Sequence, residues 1–219
     1  MITAPAALLI LIPLAYVAGS VPFGLVVGLA KGIDPRKAGS GNIGATNLGR
    51  LLGGKYFALV FILDMLKGLL PTLLAGAFLH FDAKDALAYA LWLSVGFAAI
   101  FGHMYSMFLG FKGGKGVATS AGVILGVFPY YTIAGVIALM IFALVFKVTK
   151  YVSLGSIVAA CMFTVIYVLL GIARGWDVFG RQAPLLVFAV IVTAMIIYKH
   201  RANLIRLRDG TELRFGAKA

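Results

Sequence analysis

Seven stretches of this chain are almost wholly apolar: Ala6–Ala30, Tyr56–Leu79, Leu87–Phe101, Val117–Phe128, Tyr130–Phe146, Leu154–Ile172 and Leu185–Tyr198. A membrane-crossing helix needs roughly 20 predominantly apolar residues. Joined by short loops, these runs allow five to seven spans within 219 residues and leave no room for a soluble domain. Composition closes the alternatives. The chain is 62% hydrophobic and 12% charged, with a mean hydropathy of +1.04, whereas a soluble domain is about 45–50% apolar and about 25% charged. It is too apolar to be soluble and too poor in charge to be disordered. The expectation is an all-α polytopic membrane protein, one integral-membrane domain over residues 1–219.

The number of spans turns on Pro129, which divides what would otherwise be one long run from Val117 to Phe146. Charge decides between the readings. With seven spans and the N-terminus outside, the inner side receives Lys31, Arg36, Lys37, Arg50, Lys55, Lys112, Lys115, Lys147, Lys150, Lys199, Arg201, Arg206, Arg208, Arg214 and Lys218. The outer side receives only Lys84, Arg174 and Arg181, while Lys67 lies within a span. That is a strong positive-inside bias. A single span over Val117–Phe146 would move Lys147 and Lys150 outside. The reading is therefore a seven-transmembrane-helix bundle, two of its spans short, with a cytoplasmic C-terminus. The first run is a retained helix: no Lys or Arg precedes it and the first is Lys31, the reverse of a signal peptide.

The formal charge of +12 would also suit a nucleic-acid binder. Here, however, the basic residues fall between hydrophobic runs, where they set topology and meet anionic lipid or phosphate. No nucleic-acid partner is expected. The single Cys161 excludes an internal disulfide and argues against a cysteine metal site; it reads as a free thiol packed as a small hydrophobe. With histidines only at 80, 103 and 200 and no paired carboxylates near the loops, metal binding has little support.

Four polar segments fall on the inner face, whereas the outer loops Phe81–Asp85 and Gly175–Gln182 are brief. The first segment, Ala38 to Arg50, is rich in Gly, with Ser40, Asn42, Thr46 and Asn47 as hydrogen-bonding groups and Arg50 as a planar cationic fork. Small residues there let backbone approach a ligand. The plain alternative is a re-entrant loop capped by its own side chains. The second runs from Gly102-His103 to Phe111-Lys112-Gly113-Gly114-Lys115-Gly116-Val117-Ala118-Thr119. Two lysines among three glycines at a helix start make an anion cradle. It is not a Walker A loop, because Gly116 follows Lys115 where Ser or Thr is required. In the third, Tyr151 to Ser156, Ser153 reads by itself as a helix cap. The fourth places His200 and Asn203 three apart, on one face if the last helix continues; a lone interfacial His is more often structural than catalytic. Asp64 and Lys67, at i and i+3 in the second span, read as a structural ion pair.

Taken in order, Gly39-Ser40-Gly41-Asn42-x-Gly44-Ala45-Thr46-Asn47 with Arg50, Gly102-His103 with Phe111 to Thr119, Ser153-Leu154-x-Ser156, and His200-Arg201-x-Asn203 with Arg206 resemble the bacterial acyl-phosphate:glycerol-3-phosphate acyltransferase family, the PlsY type. The likeness spans nearly the whole chain. It departs at Met104-Tyr105-Ser106, where the family has an aromatic and then Pro, and at Leu204, where Ile is commoner. The resemblance implies transfer of a fatty acyl group from acyl phosphate to the 1-hydroxyl of glycerol 3-phosphate. The products would be lysophosphatidic acid and inorganic phosphate, and no metal or cofactor would be needed. It also implies a seven-helix bundle in the bacterial cytoplasmic (inner) membrane, among lipid, with its active site at the inner face.

On that resemblance Ser40, Arg50, Lys115, His200 and Asn203 would be catalytic. Asn42, Gly44, Thr46, Asn47, His103, Lys112, Gly113, Gly114, Gly116, Ser153 and Ser156 would bind substrate. Arg50 and Lys115 are natural phosphate clamps, and the glycines at 113, 114 and 116 would cradle the phosphate of glycerol 3-phosphate. Ser40, His200 and Asn203 would position substrates and stabilise charge on the carbonyl oxygen. The base is open between His200 and a substrate phosphate. With no Ser–His–acid set and no carboxylate near His200, transfer should be direct, without an acyl-enzyme. Two rivals remain: a small transporter of an anionic metabolite, which would want polar residues at the midplane and an internal repeat, and another enzyme type such as a lipid phosphatase.

Overall fold

The computed structural model describes residues 4–78 and 85–216, with the side chains of residues 4 and 5 left aside. The described residues form ten α-helices: α1 (Ala4–Ser20), α2 (Phe23–Leu29), α3 (Ala45–Leu52), α4 (Gly54–Ala77), α5 (Ala86–Met104), α6 (Val117–Gly126), α7 (Thr132–Thr149), α8 (Val152–Ala173), α9 (Ala183–Lys199) and α10 (Arg201–Arg208). Leu79, His80, Lys84, most of the Phe81–Asp85 loop, and Lys218 lie outside the described residues.

The apolar runs become helices, with one correction. Ala6–Ala30 is two helices, α1 and α2, because Pro22 lacks an N–H to continue the ladder. The carbonyls left at this break are taken up by distant side chains: Ser106 Oγ donates to Ser20 O at 2.6 Å and Lys67 Nζ to Val21 O at 2.9 Å. Lys67 also meets Asp64 at 2.8 Å, so the expected intramembrane pair is formed, and it ties α4 to the break. Backbone freed within an apolar bundle needs such a partner.

Among the described residues, five segments are long and apolar enough to cross a membrane, with α1 and α2 together making one of them; α9 and α10 add a sixth if their bent pair is a single span. Helix α6, with 10 residues, is shorter. The helices approach closely through small residues. A side-chain carbon at Gly102 on α5 would overlap the Tyr16 carbonyl of α1, and one at Gly122 on α6 would overlap the Met65 carbonyl of α4. The main core gathers Trp92, Val95, Ile100 and Met104 of α5 with Val123, Tyr131, Tyr167 and Phe188. Leu9, Leu14, Met140, Leu144 and Leu169 are exposed on the outside, the side a bilayer would cover.

Two elements outside the long helices position the site. Helix α3 buries Leu48 against Val60 of α4. After α10 the chain turns back, with Thr211 and Glu212 amides donating to Arg206 O. Phe215 then wedges between Phe57 of α4 and Phe146 of α7, at ring distances of 5.5 and 5.7 Å.

Candidate active site

The loop before α3 is built around Asn47, which is buried. Its Nδ2 donates to the carbonyls of Pro35, Ala38 and Asn42 at 3.0, 3.1 and 2.9 Å, and its Oδ1 accepts from Ser40 N at 2.9 Å. Asn42 Oδ1 accepts from Gly44 N at 2.8 Å, an Asx turn. Asn47, expected to bind substrate, thus spends its amide on the loop's own backbone. The self-capped alternative holds for this residue, and the loop it shapes carries Ser40 and Thr46 to the wall of a cavity of about 160 Å³. Arg50, one turn further along α3, reaches the same wall. One terminal nitrogen donates to Leu213 O at 2.7 Å, while its buried Nε finds no protein partner.

The opposite wall comes from the far end of the chain. Lys115 Nζ donates to Asn203 Oδ1, and Asn203 Nδ2 donates to Glu212 Oε1 at 2.7 Å. Glu212 accepts also from Ser153 Oγ at 2.7 Å and Arg206 Nε at 2.8 Å. Burial pushes the Glu212 carboxyl up, but the hydrogen bonds from Ser153, Asn203 and Arg206 outweigh it and hold the group below the ordinary carboxylate range. It is an anion in the wall of the cavity. This corrects two sequence expectations: a carboxylate does stand in the site, and Ser153 does not cap its helix but bonds this carboxylate.

Lys115 is brought down to about 8, chiefly by burial, with Glu212 pulling upward and Arg206 and Arg50 pushing downward. It is therefore a cation at neutral pH. His200, 2% exposed, sits at the 57° bend between α9 and α10. The helix does not run straight through it, yet His200 and Asn203 both face the cavity. His200 Nδ1 lies 2.8 Å from Ile196 O. A carbonyl can only accept, so Nδ1 carries the proton and Nε2 keeps its lone pair. Burial first and Lys115 second pull His200 down to about 4, so it is neutral at pH 7 and a weak base.

Of the expected residues, Ser40, Asn42, Gly44, Thr46, Asn47, Arg50, His103, Lys115, Gly116, Ser153, Ser156, His200 and Asn203 line this cavity. Lys112, Gly113 and Gly114 do not. Lys112 is exposed. The two glycines pack on His103: Gly114 N donates to His103 O at 3.1 Å, and a side-chain carbon at Gly114 would overlap the His103 Nε2. The three-glycine cradle is thus corrected to a close-packed turn, in which Gly116 alone touches the cavity, held at φ +82° where L side chains are strained. His103 in turn stands 3.6 Å from Asp64, which also lines the cavity.

Sequence reasoning missed Glu212 and Asp64. A lone Glu within a basic tail was the signal for the first; nothing local pointed the second toward a site. Away from the polar mouth the cavity continues as an apolar arm between Ile124 of α6, Leu139 and Phe142 of α7, and Ala159, Ala160 and Phe163 of α8. No group of three or more His, Cys, Asp or Glu that could hold a metal occurs among the described residues. The arrangement offers two cations, a fixed anion, a neutral imidazole and an apolar slot. It suits a phosphorylated polar reactant beside an apolar one.

A sequence model of the family described as glycerol-3-phosphate acyltransferase matches residues 9–210. A protein named glycerol-3-phosphate acyltransferase from Geobacter sulfurreducens is 43% identical over 210 residues, covering 95% of this chain and 98% of that one. One of the same name from Aquifex aeolicus is 42% identical over 209 residues, covering 94% and 98%. Two crystal structures of PlsY (YgiH), an integral membrane glycerol 3-phosphate acyltransferase, superpose on it, each at 41% identity over 96% of both chains. The glycerol 3-phosphate form gives a TM-score of 0.82 and the lysophosphatidic acid form 0.78.

Proposed function

This chain belongs to the glycerol-3-phosphate acyltransferase family and is a multi-pass membrane acyltransferase, and from that premise we propose that it uses an acyl phosphate to acylate the 1-hydroxyl of glycerol 3-phosphate. The observation that carries the reading is the meeting of Arg50, Lys115, His200, Asn203 and Glu212 around one cavity that runs on into an apolar arm. The named relatives and the two PlsY forms favour an acyltransferase, and the transporter alternative finds no support among them.

Arg50, with an unpartnered Nε, and cationic Lys115 hold phosphate oxygens. Glu212 fixes Asn203, and through it the ammonium of Lys115. Ser40 and Thr46 line the cavity with hydroxyl groups that align the reactants, while Ser156 donates to Val152 O and leaves only its oxygen to accept. The hydroxyl oxygen of glycerol 3-phosphate bonds to the acyl carbonyl carbon, the carbon–oxygen bond to phosphate breaks, and inorganic phosphate leaves. The hydroxyl proton passes to a substrate phosphate, whose second pKa of about 6 makes it a stronger base than His200 at about 4. His200 serves as an acceptor through Nε2 that orients the hydroxyl. No acyl-enzyme forms, and no metal or cofactor takes part.

The whole chain acts as one domain in the bacterial inner membrane. Seven spans are α1 with α2, then α4, α5, short α6, α7, α8 and α9; the N-terminus is outside and the site opens to the cytoplasm. The charge distribution supports this reading. The test is purified protein with palmitoyl phosphate and labelled glycerol 3-phosphate, with palmitoyl-CoA as control donor. Lysophosphatidic acid should form from palmitoyl phosphate alone. Equal turnover with the CoA ester overturns the donor assignment, and a covalent acyl-Ser40 species overturns direct transfer.

A further inference from the structure

The apolar arm has an end. On α8 the lining positions Ser153, Ser156, Ala160 and Phe163 recur at three, four and three residues, one face of the helix running inward from the Glu212 network. Ten residues at about 1.5 Å each make that face about 15 Å long. On the facing side a side-chain carbon at Gly135 of α7 would overlap Ile124 of α6, so these two close the gap between their helices. Beyond Phe163 the next layer is aromatic. Its ring meets Tyr131 edge-on at 5.0 Å, and Tyr131 meets Tyr167 edge-on at 5.1 Å. Both tyrosines are fully buried, neither lines the cavity, and the Tyr131 hydroxyl donates to Leu185 O.

We propose that Phe163 is the floor of the acyl slot and sets the chain length up to which this enzyme discriminates between donors. The inference rests on assigning the apolar arm to the acyl chain. An extended chain advances about 1.2 Å per bond, a third of the about 3.6 Å that three backbone bonds span. Ser153 and Ser156 belong to the polar mouth, and the seven residues from Ser156 to Phe163 span about 10 Å, so the arm takes about nine carbons. Lipid is as apolar as the arm, so moving a methylene from bilayer to protein gains little by itself. Selection comes from filling the slot: a chain too short leaves a void, at up to roughly fivefold in rate for each methyl-sized gap. Carbons beyond the floor turn outward past Leu139, a lining residue that is also exposed on the outer surface, and add no discrimination.

The measurement is an internal competition. Acyl phosphates of about 4 to 18 carbons, bracketing the break expected from the chain's advance per bond, are mixed in one detergent micelle with labelled glycerol 3-phosphate, and the lysophosphatidic acids are counted by mass spectrometry. Product ratios report relative kcat/KM whatever the amount of active enzyme. For the unaltered protein the ratio should climb to about nine carbons and then level. Phe163→Ala should carry the climb about three carbons further. Ala160→Phe brings a ring one helical turn nearer the mouth, about 4.5 Å, and should end the climb about four carbons earlier. A break that stays put in both variants, or a climb without a break, overturns the proposal. If Phe163→Ala does not fold, Ala160→Phe and Phe163→Leu decide the matter in the same assay. Absence of product from every acyl phosphate would sink the donor assignment; product with an unmoved break would sink the floor alone.

Discussion

Lys115 shows how one side chain takes its properties from neighbours far away in sequence. Its ammonium is held by Asn203, which Glu212 fixes, and burial lowers it to about 8. The group is protonated below that value and neutral above it. The KM for glycerol 3-phosphate should therefore rise as pH climbs through about 8, and a KM flat to pH 9 would remove Lys115 from phosphate binding. Lys115→Ala should lower kcat/KM by roughly a hundredfold, the scale of one charge-assisted hydrogen bond. Glu212 makes a different prediction. Removing it strands the donors of Ser153, Asn203 and Arg206. Glu212→Ala should cost about 3 kcal/mol and Glu212→Gln less, read as thermal unfolding in detergent. The residue types lining this cavity were legible in the sequence, because Arg50, Lys115 and His200 each stand in a polar segment between apolar runs. Which of them are free to meet a ligand was not. Asn47 and Asn203 are the same residue type and both line the cavity, yet one ties down its own loop's backbone and the other links the side chains of Lys115 and Glu212.

At the scale of elements, the breaks matter more than the helices. Pro22 divides α1 from α2, and the freed carbonyls recruit Ser106 and Lys67. Lys67 then holds Asp64, and Asp64 stands beside His103, on which the Gly113–Gly114 turn rests. That turn delivers Lys115. Gly114→Ala should displace His103 and lower kcat/KM by roughly tenfold or more, as a misplacement of about 1 Å near the chemistry can. Because both substitutions act through one contact, the Gly114→Ala/His103→Ala double variant should be no worse than His103→Ala alone. Strict additivity would show that the two residues work separately. The runs that became helices could be read from hydropathy, and Pro22 was visible within the first of them. The splitting of that run was not inferred, because an apolar stretch long enough to span reads as one helix unless the partners that satisfy a break are known.

Across the whole molecule, the site draws on residues from Ser40 to Glu212, on α3, α5, α6, α8, α10 and the returning tail. Such an arrangement needs all its contributing loops on one side of the membrane. With Cys161 replaced by Ser, single cysteines at Ser40 and at Gly175 should be labelled by impermeant maleimide from opposite faces of inverted and right-side-out vesicles. Labelling of both from the same face would overturn the seven-span topology. The charge count argues for that topology from sequence, because the distribution of Lys and Arg between loops is itself what orients a chain in the bilayer. The apolar runs and the cationic residues that meet at the cavity were likewise contained in the sequence, since hydropathy and charge are local properties that each segment carries with it. The Glu212 network, the closed packing of Gly113 and Gly114, and the aromatic floor at Phe163 were decided only by the tertiary structure. Each depends on a contact between segments that nothing in either segment announces, and in a bundle such contacts follow from which helices can approach closely enough to touch.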